Sequence, residues 1–102
     1  NKIKLLNAKK YFDLIIFSST LKEDKPSSIP FQHLLNLTKL ESQDIIYVGD
    51  NPMMDFKGAN DLGIFTIGIK NNLLKNKKIE NDFKPKIEIK NLLELQKYLK
   101  YD

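Results

Sequence analysis

Hydrophobic residues in this chain fall into short solid runs, and between the runs the spacing changes to a helical one. Asp13–Ser18 reads DLIIFS, Asp44–Gly49 reads DIIYVG and Ile64–Ile69 reads IFTIGI. Each is a continuous apolar run with β-branched residues, the pattern of a strand buried on both faces. Phe31, Leu34, Leu35 and Thr38 recur at helical intervals, preceded by Ser27, Ser28 and Pro30, which suit a helix cap and first turn. Asp55–Leu62 predicts a short helix, with Gly63 placed to end it at the C′ position. Ile87 and Ile89 predict a short edge strand. Asn91–Lys100, with Leu92, Leu95 and Leu99 on one face, predicts an amphipathic closing helix. The opening stretch Asn1–Lys10 holds Ile3, Leu5, Leu6 and Ala8 among lysines and predicts a helix or its last turns. Asn71–Lys86 predicts polar, irregular chain.

Strands that alternate with helical connections imply an α/β fold with a parallel sheet and right-handed crossovers. In such sheets ligands bind beyond the carboxyl ends of the strands. Attention therefore goes to the residues that follow Phe17, Val48 and Ile69.

Length and composition narrow the classes. A chain of 102 residues, 41% hydrophobic, is at most one domain with a modest core. With no cysteine, a disulfide scaffold, a thiolate zinc site and a cysteine nucleophile are excluded. No apolar run is long enough to span a bilayer, and no signal peptide is recognisable, so the expectation is a soluble cytoplasmic protein without a membrane partner. The formal net charge is +4, but all 17 basic residues are Lys. Arg would be expected for bidentate phosphate and base contacts, and the lysines are spread along the chain with only Phe83 among the densest of them. The charge reads as a solvated face and no nucleic-acid partner is expected.

Two short segments carry candidate chemistry. Gly49-Asp50-Asn51-Pro52-Met53-Met54-Asp55 follows the second predicted strand. Two carboxylates across a tight loop can face one crevice, and hard oxygens of this kind suit Mg²⁺, which takes a few carboxylates, waters and phosphate oxygens. Either Asp can instead cap the following helix. After the first strand, Lys25-Pro26 places a lysine held extended by the proline, able to offer a point charge to a phosphate; a solvated lysine would look the same. His33, the one histidine, sits on a helix and reads as a surface residue. Met53, Met54, Tyr98 and Tyr101 read as packing residues.

Taken in order, the strand YFDLIIFSS, Lys25-Pro26, the helix near Phe31, Gly49-Asp50 with Asp55, Gly58–Gly63 and IFTIGI resemble the C-terminal half of the core domain of the haloacid dehalogenase-like (HAD) hydrolases. The resemblance runs from about Lys4 to Lys70. Lys25 looks like the family's motif III lysine, and Gly49-Asp50 through Asp55 looks like its motif IV loop. The resemblance implies a Rossmann-like three-layer sandwich and a Mg²⁺-dependent hydrolase, a phosphatase acting on a small phosphomonoester in preference to a dehalogenase. In the family an Asp nucleophile forms an aspartyl-phosphate while a second Asp acts as acid and base. Asp50 would then help to bind Mg²⁺, Asp55 would support it directly or through water, and Lys25 would stabilise the phosphorylated intermediate.

The sequence departs from the family pattern in two ways. Ser27 and Ser28 follow Lys25-Pro26 where an acidic residue and a Pro are common, which touches only a helix cap. More seriously, no Asp-x-Asp nucleophile motif occurs, and Ser18, Ser19 and Thr20 lie too close to Lys25 to serve as motif II. The expectation is that residues 1–102 are the C-terminal part of a single core domain, with the nucleophile and any cap domain upstream of Asn1, and that the chain alone is inactive. In the order 3-2-1-4-5 implied by the resemblance, two absent strands would separate DLIIFS from DIIYVG. The chain would then continue upstream, bring these two strands together, or self-associate. A non-catalytic phosphate-binding or interaction module without a nucleophile is the alternative. A phosphoacceptor receiver domain would need an acidic pair after its first strand, which is not found.

Overall fold

The computed structural model describes residues 3–5, 11–18, 27–51, 55–70 and 78–101. Lys25, Pro26, Ser19, Thr20, Met53, Met54 and the stretch 71–77 lie outside the described residues. In chain order the strands and helices are β1 (Ile3–Leu5), β2 (Tyr11–Phe12), β3 (Leu14–Phe17), α1 (Ile29–Thr38), β4 (Ile45–Gly49), α2 (Lys57–Asp61), β5 (Phe65–Ile69), β6 (Ile87–Ile89), α3 (Leu92–Tyr98) and β7 (Leu99–Tyr101). Single 3₁₀ turns at Ser42–Asp44 and Asn81–Phe83 lead towards β4 and β6.

Four strands form a parallel sheet in the order β3-β4-β5-β6. The register pairs Phe17 with Val48, Gly49 with Gly68, and Ile69 with Ile89. The carboxyl ends therefore line up, and Ser18, Asp50, Lys70 and Lys90 leave the sheet along one rim. β4 is central and buried along its whole length, which its run of Ile45, Ile46, Tyr47 and Val48 requires of a strand covered on both faces. On one face Ile46, Val48, Ile67 and Ile89 pack with Phe12 and with Leu95 of α3. On the other, Ile45, Tyr47 and Ile16 pack with Phe31 of α1 and with Phe56, Ala59 and Ile64 around α2. The result is the expected three-layer α/β sandwich.

Local chemistry sets the helix ends. Pro30 occupies the first turn of α1, and Lys39 closes that helix in a left-handed conformation with φ 61°. Gly63, at φ +81°, ends α2. Its N–H donates to Asn60 O at 3.0 Å and the Ile64 N–H donates to Ala59 O at 3.0 Å, the paired bonds of a Schellman motif.

Three expectations are corrected. Ile3–Leu5 is a strand, not part of a helix: β1 pairs antiparallel with β2 and with β7, making a second, three-stranded sheet in the order β2-β1-β7. Ile3, Lys4 and Leu5 alternate with a period of two, and the pairing to β7 overrides the weak helical signal. The closing helix stops at Tyr98, and Leu99–Tyr101 is β7 rather than the helix's last turn. α2 begins at Lys57, so Asp55 precedes the helix instead of opening it. Of the outcomes open for the two separated strands, the chain adopts direct pairing. Leu14–Phe17 bonds in parallel to Ile45–Val48, so their facing edges satisfy one another.

Candidate functional site

The site is built where β4 ends. Gly49 is the last residue of β4, Asp50 is exposed just beyond it, and Asn51 is half-buried. Asp55 is only 4% exposed. Its side chain does not cap α2, whose N-cap position is held by Phe56 without a side-chain bond. Instead the carboxylate turns back. Asp55 Oδ2 accepts the Asp50 N–H at 3.0 Å and the Asn51 N–H at 2.9 Å, and the Asp55 N–H donates to Asn51 O at 2.8 Å. A buried carboxylate is tolerated because it takes charge-assisted bonds from backbone N–H groups.

Gly49 makes this possible. A Cβ there would lie 2.5 Å from Asp55 Oδ2 and 2.7 Å from Asp55 Cγ, far inside contact distance. The missing side chain is the space the carboxylate occupies. The loop is thereby drawn tight, with one carboxylate buried as its brace and the other, Asp50, presented at the open rim of the parallel sheet.

A third group belongs to this corner. Tyr47 lies two residues before Gly49 on the same face of β4, fully buried, its ring edge-on to Phe31 at 4.8 Å between centroids. Burial pushes its phenol well above the usual value, and the charges of Asp55 and then Asp50 push it further. Both carboxylates therefore act on one buried point. Neither composition nor motif singled out Tyr47. Its placement before a strand-terminal glycine is the one sequence signal that could have done so.

Of the residues singled out from sequence, the fold brings Asp50 and Asp55 together in one loop, while Lys25 is outside the described residues. His33 is exposed on α1. Tyr98 packs beside the α3-side core, its hydroxyl donating to Glu94 Oε1 at 3.4 Å. Among the described residues no group of three or more His, Cys, Asp or Glu converges on one point. The donor set is thus one exposed and one backbone-braced carboxylate, both hard oxygen donors. That matches the preference of Mg²⁺ for one or two carboxylates completed by water and phosphate.

Comparison with known proteins gives the family. Residues 1–69 match the sequence model of the haloacid dehalogenase-like hydrolases. The chain belongs to the haloacid dehalogenase-like hydrolases. Over 98 residues, 96% of this HAD chain, it is 28% identical to a putative pyrophosphatase of Caldanaerobacter subterraneus, of which it covers 44%. A 2-haloacid dehalogenase from Pseudomonas syringae superposes with a TM-score of 0.57 at 31% identity, over 72% of this chain and 31% of that one. A HAD phosphatase from Thermococcus onnurineus gives 0.58 at 26% identity, over 76% of this chain and 34% of that one. The HAD chain spans less than half the length of these relatives.

Proposed function

We propose that this chain supplies the accessory half of a Mg²⁺-dependent phosphatase site of the HAD type, acting on a small phosphomonoester. The observation that carries the reading is the Gly49–Asp55 loop. It ends a central parallel strand, exposes Asp50 at the rim, and braces Asp50 from behind with the buried Asp55 carboxylate. In this reading Asp50 is the carboxylate that holds the metal, and Asp55 fixes its direction and adds negative charge. Bound Mg²⁺ would supply charge neutralisation around the transferring phosphoryl group. Lys25, which follows β3 in sequence, would place a positive charge against the same group, an electrostatic and positioning role. The attacking carboxylate comes from sequence outside these 102 residues, since none here stands in an Asp-x-Asp. The pyrophosphatase and phosphatase names among the relatives support phosphoryl chemistry; the dehalogenase shares the same fold.

A second reading, a phosphate-binding module without catalysis, is favoured by one observation. β3 pairs directly with β4, so the described sheet is continuous within this chain. The two readings separate in one experiment. The 102-residue chain, and the same chain joined to its upstream coding sequence, are assayed on a generic phosphomonoester with Mg²⁺. The chain alone should show no turnover. The longer protein should turn over, Asp50→Asn should remove most of its activity without unfolding it, and Lys25→Ala should lower kcat more than it raises KM. An inactive longer protein would favour the module, and full activity in Asp50→Asn would remove Asp50 from the site.

A further inference from the structure

The helix that follows Asp55 is held by contacts remote from it in sequence. α2 has only five residues and cannot set its own direction, so its orientation follows from what grips it. Asn60 is the residue gripped. Its N–H donates to Phe56 O at 2.7 Å. Its side-chain Nδ2 donates to Asp82 O at 3.1 Å and to Lys84 O at 2.7 Å, and its Oδ1 accepts the Thr66 hydroxyl at 2.8 Å. Thr66, fully buried on β5, in turn accepts the Lys86 N–H at its own hydroxyl, 3.1 Å, and at its carbonyl, 3.0 Å. The segment 82–86 is thereby strapped across α2 and β5. Lys57 reinforces it from the exposed side, pairing with Asp61 at 2.8 Å and with Asp82 at 3.2 Å.

The strap closes back on the site. Pro85 is pressed against Gly68, where a Cβ would lie 2.5 Å from Pro85 Cγ and 3.3 Å from Phe56 Cζ. Gly68 pairs in register with Gly49, the residue over which the Asp55 carboxylate sits. Gly49, Asp55, Phe56, Asn60, the strap, Pro85 and Gly68 therefore form a closed ring of contacts that returns to Gly49 through the sheet. Two glycines side by side leave a hollow at the carboxyl end of the sheet, filled by one carboxylate, one phenyl ring and one proline.

We propose that Asn60 is a positioning residue for the Asp50–Asp55 loop. By locking α2 to the strap it keeps the Asp55 carboxylate on the N–H groups of Asp50 and Asn51, and so fixes how Asp50 is presented. The consequence for metal binding rests on the reading of Asp50 given above; the positioning itself does not.

Amide hydrogen exchange on the ¹⁵N-labelled chain tests this directly. In Asn60→Ala, and in the near-isosteric Thr66→Val, the Asp50 and Asn51 amides should exchange roughly tenfold faster relative to the amides of Tyr47 and Val48 in the same molecule, about the factor for one weakened hydrogen bond. Ile46→Val, a trimming on the opposite face of β4, should leave that ratio unchanged. A Mg²⁺ titration followed at the Asp50 amide should weaken several-fold in both clamp variants and not in Ile46→Val. Uniform acceleration along β4, or an unchanged ratio, would reduce Asn60 to a stability residue and overturn the proposal. Should Asn60→Ala fail to fold, Thr66→Val decides. If the unaltered chain shows no Mg²⁺ response at Asp50, the metal reading fails while the exchange ratio still judges the positioning.

Discussion

The two faces of β4 share one backbone and one degree of burial, yet they do different things. Towards α3, Ile46 and Val48 meet Ile67, Ile89 and Leu95, aliphatic neighbours of similar size. Towards α1 and α2, Ile45, Tyr47 and Gly49 run from medium to large to none, against Phe31 and Phe56. The first face only packs. The second is uneven, and the unevenness admits a carboxylate at its end. The buried Asp55 carboxylate is accommodated here less by adding polar groups to a core than by omitting a side chain where the strand reaches the rim.

The contrast makes unequal mutational costs along one strand. Phe31→Ala should be the most damaging, about 3–5 kcal/mol, because a fully buried ring edge-on to Tyr47 is lost and α1 loses its anchor. On the aliphatic face Ile46→Val should cost only about 0.5–1.5 kcal/mol. Denaturant unfolding of both variants checks this, and equal costs would show that the faces are energetically alike. Gly49→Ala comes next, at about 1–3 kcal/mol, since the added Cβ collides with the Asp55 carboxylate and must displace it. The Asp50 and Asn51 amide resonances should move with it, and a variant that keeps both resonances in place would mean the loop can absorb a side chain.

The smallest effect appears only in alkali. Burial, then Asp55 and Asp50, hold the Tyr47 proton in the folded chain beyond the ordinary tyrosine range. The unfolded chain releases that proton near pH 10. The native state thus binds more protons above that pH, and stability is unaffected below it and declines as pH rises through it. Tyr47→Phe should remove that part of the decline, seen as a shallower loss of unfolding free energy between about pH 9 and 11 than in the unaltered chain. Parallel curves would mean that the phenol ionises as easily folded as unfolded.

How much of this was legible in the sequence depended on how local the deciding physics was. β3, β4 and β5 were legible because solid apolar runs admit few other structures, and Gly63 because only a left-handed position explains it there. β1 and β7 were not, since three-residue strands are decided by a partner at the other end of the chain. The 3.6-residue pattern that ran through Leu99 could not reveal that pairing with Leu5 would end α3 at Tyr98. At the site, the spacing of Asp50 and Asp55 showed that they share a loop. It did not show that Asp55 turns backwards, because Gly49 and the two N–H groups that receive it act through space. Asn60, Thr66 and Pro85 were silent for the same reason, as their partners lie 6 to 24 residues away.

The β1–β7 pairing has a kinetic consequence. Ile3 lies opposite Tyr101, so this small antiparallel ladder joins residues from almost opposite ends of the chain. Contacts of such long sequence separation lose the most chain entropy on forming, and a ladder of three residues returns little for it. The parallel sheet, whose neighbouring strands are joined by much shorter excursions, should assemble first and bring the two ends within reach. The ladder should then fasten after the parallel sheet during folding and open before it in the native state.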